Sequence, residues 1–208
     1  RRASCQSNLK QIGLSVMQYT QDYDEKYPTI RGWGTPDLNR GWDARVQPYV
    51  GTRVQWGSSP AVFQCPSDAI ARNVIANSTP RSYSWNQGLR QGSVDLSGNG
   101  SWNPGAEVNY ALPAIASPAT TIMVAEAFYA ENRMADVNAS LVSAPGNATM
   151  SGGAISIVQT AGSLTPAHFE GYNYLFADGH VKWLRPDRTI GNGTLTAPQG
   201  MWTIAEND

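Results

Sequence analysis

Residues 1–24, RRASCQSNLKQIGLSVMQYTQDYD, read as a single amphipathic helix, and the fold follows from where such a helix must lie. Cys5, Leu9, Ile12, Val16, Tyr19 and Tyr23 are spaced by 4, 3, 4, 3 and 4 residues, which puts them on one helical stripe. Lys10, Gln11, Gln18, Gln21 and Asp22 take the opposite, wet face. A stop near Asp24 is predicted from Tyr27-Pro28, because helical angles are disfavoured just before proline. The start is weak: Ser4 is the one available N-cap, and Arg1-Arg2 has the wrong sign for the positive end of a helix dipole. The expectation is a helix that continues upstream of Arg1.

A stripe of this kind needs an apolar surface to cover, and residues 172–184 supply it. Asp178-Gly179 predicts a two-residue type I′ hairpin turn, which demands positive φ at both central positions. That register pairs 177 with 180, 176 with 181 and 174 with 183. Tyr172, Tyr174, Phe176, Val181 and Trp183 then share the apolar face, the expected seat of the helix, while Asn173, Leu175, Ala177, His180 and Lys182 share the other. The fold class is α+β: an N-terminal amphipathic helix on a C-terminal antiparallel sheet, in one loop-rich domain over residues 1–208. Residues 1–24 form the helix, and 25–208 form the loop-rich region and the sheet.

Between these ends the signals are shorter. Residues 43–49 suggest a short helix with Ala44, Val46 and Tyr49 inward, residues 61–65 a short strand, and Thr120 to Phe128 a strand burying Ile122, Val124 and Ala127. Residues 29–60 otherwise read as loop, as do the Gly-, Asn- and Ser-rich 86–108 and the small, polar 136–165.

Only 15% of the 208 residues are charged, against roughly a quarter in an average soluble protein, beside 20 Gly, 13 Pro, 7 Trp and 9 Tyr. That mixture points outside the cytoplasm. A net charge of −1 without a basic run argues against nucleic acid or an anionic membrane as partner. No run reaches the roughly 18 apolar residues of a membrane span. Cys5 and Cys65 both lie in apolar settings, so each could be a buried free thiol; the extracytoplasmic composition favours a disulfide between them. Closing a loop of that size stabilises a fold by about 4 kcal/mol in the chain-entropy model.

Three motifs carry a resemblance. Ser7-Asn8-Leu9-Lys10-Gln11-Ile12-Gly13-Leu14 with the exit Asp22-Tyr23-Asp24-Glu25-Lys26-Tyr27-Pro28, then Cys65-Pro66-Ser67-Asp68, then His168 followed after nine residues by Asp178-Gly179, stand in order along the chain. Together they resemble the type IV pilin-like and type II secretion pseudopilin-like family, whose members carry a prepilin-type cleavage and methylation signal. The resemblance implies a structural subunit, major or minor, of a bacterial pilus-like or pseudopilus-like filament. It implies a precursor anchored in the inner membrane by an apolar helix upstream of Arg1, and a mature protein that is extracellular or periplasmic. The implied partners are copies of itself or related subunits, met through that upstream helix, and assembly machinery in the membrane; the present chain is expected to be monomeric.

Candidate sites are few. His168, Asp178 and His180, with Glu126 or Glu170, invite a metal reading, yet Asp178 is already accounted for as a turn residue and a structural role is expected for His168. Calcium enters because some pseudopilins hold it in a C-terminal acidic loop. The acidic cluster here, Asp22, Asp24 and Glu25, lacks the alternating ligand pattern of a calcium loop, and no cofactor is expected. No motif of nucleophilic, metallohydrolase or phosphate chemistry occurs, and nothing links Asp43, Glu107, Glu126 and Asp136, so no enzyme is expected. The alternative is a secreted carbohydrate- or ligand-binding module using Trp33, Trp42, Trp56, Trp85 and Trp102 as stacking platforms, against the plainer reading that each plugs a gap beneath a loop. Asn-x-Ser/Thr sequons at Asn77, Asn99, Asn138, Asn147 and Asn192 fit surface loops.

Overall fold

A computed structural model describes residues 1–28, 41–51, 60–70, 80–89, 111–128, 132, 134, 141–142, 145, 148–151, 154–157, 168–195 and 197–204. Helix α1 spans Arg2–Asp22, and a second helix, α2, spans Trp42–Val50. The strands are β1 (Tyr83–Asn86), β2 (Ile122–Glu126), β3 (Leu141–Val142), β4 (Ala148–Ser151), β5 (Ala154–Ile157), β6 (Tyr172–Phe176) and β7 (Val181–Leu184). Five form one sheet in the order β3-β1-β2-β6-β7, in which β1, β2, β6 and β7 are antiparallel and β3 runs parallel to β1 at the edge. Strands β4 and β5 make a separate antiparallel pair. The fold is α+β, an N-terminal helix with an antiparallel four-strand sheet.

The hairpin differs from the expected register by one residue. Asp178 and Gly179 belong to a three-residue loop with Ala177: the Gly179 N–H donates to Phe176 O, and the Phe176 N–H donates to His180 O. Only Gly179 takes positive φ, +87°, as the closing position of such a loop requires. Leu175 therefore faces Val181, and Asn173 faces Trp183. Shifting one strand by one residue turns its side chains over. Val181 and Trp183 consequently join Asn173 and Leu175, away from Tyr172, Tyr174 and Phe176.

This reassigns the seat of α1. Leu175 Cδ1 would come within 2.7 Å of a Cβ placed on Gly13, the Lys10 ammonium donates to Gly179 O at 3.1 Å, and Arg2 lies over the Trp183 ring at 5.7 Å. The helix covers the Leu175 face. The opposite face, bearing Tyr172 and Tyr174, is covered instead by Phe128 and by Trp202 near the C-terminus, with ring centroids 6.3 and 6.1 Å apart. Every residue of β1, β2 and β6 is buried, as a sheet covered on both sides demands.

On α1 the stripe from Cys5 through Leu9, Ile12, Val16 and Tyr19 is buried. Burying each aliphatic member contributes roughly 1.5–3 kcal/mol. Tyr23 is the exception. The helix ends at Asp22, so Tyr23 stands outside its regular spacing, half exposed, and stacks on Tyr19 at 4.1 Å. The exit is a tight reversal: Glu25 N–H donates to Thr20 O, and Asp24 and Glu25 both hold left-handed φ near +50 to +60°.

Other expectations are corrected in the same way. Residues 61–63 form a 3-10 turn rather than a strand, with Phe63 and Gln64 N–H groups bonded back to Pro60 and Ala61. The short helix expected over 43–49 is present as α2 and buries Val46 as expected, with Trp42, Asp43 and Gln47, while Ala44 and Tyr49 are only half-buried. Asn86 ends β1 and Gln87–Leu89 form a 3-10 turn, while 90–108 lie outside the described residues.

Candidate functional site

The site grows from the underside of the first turns of α1. Cys5, the start of the stripe, points into the sheet and is disulfide-bonded to Cys65, 60 residues later. Cys65 opens the turn Cys65-Pro66-Ser67-Asp68, closed by the Asp68 N–H on Cys65 O at 2.9 Å with proline in its favoured second place. Ser82 fixes that turn to the strand leading into β1: its hydroxyl accepts from the Cys65 N–H at 2.9 Å and donates to Asp68 Oδ2 at 2.7 Å.

Beside the disulfide lies a buried acid–base pair. Glu126, the last residue of β2, is 1% exposed, and His168 is 2% exposed. The His168 Nε2 stands 3.1 Å from Glu126 Oε1 and 3.5 Å from Cys65 Sγ. Asn173 completes the carboxylate's coordination, its backbone N–H donating to Oε2 at 2.7 Å and its Nδ2 to Oε1 at 2.8 Å. A carboxylate removed from water is tolerated when its lone pairs are met this fully. His168 is held from behind. Its carbonyl accepts from the Trp183 indole at 2.8 Å and from the Gly171 N–H at 3.3 Å, across a turn whose central residues Phe169 and Glu170 both have positive φ.

The described residues thus bring together one cluster of potential ligand atoms, from Cys5, Cys65, Glu126 and His168, all within 4.8 Å of one another and all buried. The grouping expected from sequence divides in two. His168 joins Glu126, while Asp178 and His180 pair with each other at the hairpin loop, 2.6 Å apart and more than a third exposed. Glu170 is exposed and 3.7 Å from Arg185. Asp22 accepts the Tyr49 hydroxyl at 2.7 Å, which pushes the Tyr49 pKa up to about 12. Asp43 is paired with buried Arg81 at 2.7 Å, under the Trp42 ring. Glu107 and Asp136 lie outside the described residues.

Of the five tryptophans considered for stacking, Trp42 and Trp85 are core: 0% and 3% exposed, in α2 and β1 respectively, with centroids 5.7 Å apart. Trp33, Trp56 and Trp102 lie outside the described residues, as do Asn77, Asn99, Asn138 and Asn147; Asn192 is exposed in a turn.

Sequence reading named Glu126 and Glu170 as alternative companions of His168, and it is Glu126 that stands there. What it missed is that the disulfide and Asn173 join the pair, because 42 residues separate Glu126 from His168 and Glu126 ends an otherwise apolar strand. The available signal was that placement itself: an acid closing Ile122-Met123-Val124-Ala125 must find a partner if the strand is central.

A family model described as a protein of unknown function (DUF1559) matches residues 1–58, a stretch holding α1, α2 and Cys5 but neither Cys65 nor His168. No curated protein and no solved structure matches the chain. Among the described residues, no helix is long and apolar enough to cross a membrane.

Proposed function

We propose that this chain is the globular part of a pilin-like or pseudopilin-like subunit, a structural rather than catalytic protein, built into a filament outside the cytoplasm. The observation that carries the reading is the seating of α1. A 21-residue helix lies along one face of an antiparallel sheet and is stapled there by a disulfide in its first turns. A subunit that hangs from its N-terminal helix needs that helix tied to the rest of its domain, and the Cys5–Cys65 bond is such a tie. The match to a family of unknown function is compatible with this role and adds no specific one. In this reading the partners are further copies or related subunits, met through an apolar helix preceding Arg1, together with a membrane-bound assembly machinery; nucleic acid is not a partner.

The test is the N-terminus of the native protein, by intact mass and terminal sequencing. A methylated residue opening a run of about 20 apolar residues ahead of Arg1 is expected, the length that spans a bilayer. A native N-terminus close to Arg1, left by ordinary signal-peptide cleavage, would sink the filament reading.

A further inference from the structure

We infer that Cys5, Cys65, Glu126 and His168 form a latent site for zinc or a similar divalent ion, closed while the two cysteines are bonded and opened when they are reduced. The inference stands apart from the filament reading and rests on the geometry of four buried side chains.

The donor set is two sulfurs, one imidazole nitrogen and one carboxylate oxygen, which suits a tetrahedral zinc ion rather than calcium or magnesium. Around such an ion, bond lengths near 2.0–2.3 Å place neighbouring nitrogen and oxygen ligands about 3.3 Å apart, and sulfur and nitrogen about 3.6 Å apart. Here His168 Nε2 and Glu126 Oε1 are 3.1 Å apart, and Cys65 Sγ and His168 Nε2 are 3.5 Å apart. Two edges of the tetrahedron therefore exist already, and all four ligand atoms lie within 4.8 Å of one another.

The surroundings are those of a metal site as well. Asn173 binds both oxygens of Glu126 from the main chain and the side chain, fixing how the carboxylate is presented. The His168 carbonyl is anchored by Trp183, so its ring enters from a constrained backbone. A disulfide needs no acid–base pair beside it, and apolar packing would seat it without the desolvation of Glu126 and His168. The pair has a use once the sulfur–sulfur bond is gone.

The chemistry balances with a dithiol as reductant. Two electrons and two protons pass to Cys5 and Cys65, the sulfur–sulfur bond breaks, and the dithiol leaves as its own cyclic disulfide. Capture of the ion displaces both thiol protons to solvent, and the proton that His168 Nε2 donates to Glu126 passes to Nδ1, which frees the Nε2 lone pair for the metal. Two thiolates, the Glu126 carboxylate and neutral His168 Nε2 then hold the metal, and the tie between α1 and the turn at Cys65 is preserved by coordination.

The experiment uses the 208-residue chain, reduced with excess dithiol, freed of reagent under argon and titrated with Co(II). One equivalent should give intense tetrahedral visible bands and a thiolate-to-cobalt charge-transfer band, both erased by one equivalent of Zn(II); the oxidised chain should stay colourless. His168→Ala and Glu126→Gln should each weaken Zn(II) binding at least tenfold. If reduction alone unfolds the chain, Zn(II) should restore its helical circular dichroism and a cooperative melt. The variants are backed by a measurement on the unaltered chain: on adding Zn(II) the ring-nitrogen resonance of His168 should move, with His180 as internal control. A colourless reduced chain, colour indifferent to both substitutions, a fold that zinc does not restore, or an unmoved His168 ring would each overturn the proposal.

Discussion

At Glu126 three hydrogen bonds converge on one buried carboxylate, two from Asn173 and one from His168. Removing the acid strands His168 and both Asn173 donors away from water. Glu126→Ala should accordingly destabilise the oxidised protein by about 3–5 kcal/mol in urea unfolding, the range for breaking a buried pair from one side; a loss below about 1 kcal/mol would mean water reaches the pair. The tyrosines make a second prediction at this scale. Burial is the first cause raising the phenol pKa of Tyr27, Tyr83, Tyr172 and Tyr174 above 10.0, with Asp178 adding to it for Tyr27 and Glu126 for Tyr83 and Tyr172. The fold holds these phenols neutral, so above pH 10 the unfolded chain ionises and the native one does not. Their contribution is intact below that pH and is lost as pH rises, at up to about 1.4 kcal/mol per pH unit for each. In an alkaline titration, the share of tyrosinate absorbance that these four phenols supply should grow in step with loss of far-ultraviolet dichroism, after exposed phenols such as Tyr23 have ionised. Full ionisation near pH 10 with the fold intact would contradict the burial of these rings.

Helix α1 comes close to its seat at Gly13, where a Cβ would stand 2.7 Å from Leu175 Cδ1 and 3.3 Å from Gly179 O. For Gly13→Ala, a helix-propensity gain of about 1 kcal/mol opposes an overpacking loss of roughly 1–3 kcal/mol, so a small net loss is expected. Gly13→Val lacks that gain and adds bulk; it should cost about 2–3 kcal/mol, read as a lowered denaturation midpoint. The helix itself was legible because a period of 3.6 over 21 residues has no rival reading, and its glycine betrayed nothing about the close approach. The hairpin was legible as a hairpin and misread in register, because Asp-Gly serves both a two-residue turn and the end of a three-residue one. One residue of slip moved the helix seat to the other face. Strand β1 gave no signal at all. Its Ser84 and Asn86 look solvent-facing in Tyr83-Ser84-Trp85-Asn86, yet both are buried, and Asn86 is satisfied by the carbonyls of Ile122 and Trp202. Polar residues that a sheet buries and pairs at long range cannot be told from exposed ones in a single chain.

The described residues stack in three layers: helices, sheet, and a cover from residues 186–195 and 197–204. The third layer was invisible in advance. Residues 186–195 and 197–204 carry short-range turns rather than periodicity, and their hold on the sheet is made by Trp202, whose indole donates to Thr189 Oγ1 at 2.9 Å while its ring meets Tyr174. The candidate site was legible only in part: Cys5, Cys65 and His168 stood out as motif residues and Glu126 was one of two acids named beside His168, while the choice of Glu126 and the part played by Asn173 depend on the strand pairing of β2 with β6. The bond between Cys5 and Cys65 has a further, mechanical consequence. Tension applied between the two ends enters at Arg1, crosses after four residues into the sulfur bridge, and leaves through Cys65, so the 60-residue interval between them bears no load along its backbone. Pulled singly, the reduced chain should therefore yield roughly 200 Å more contour length than the oxidised one; equal lengths would refute this route for the force. Under such a pull most of the first helix is a passenger, and the tether is one covalent link beneath it.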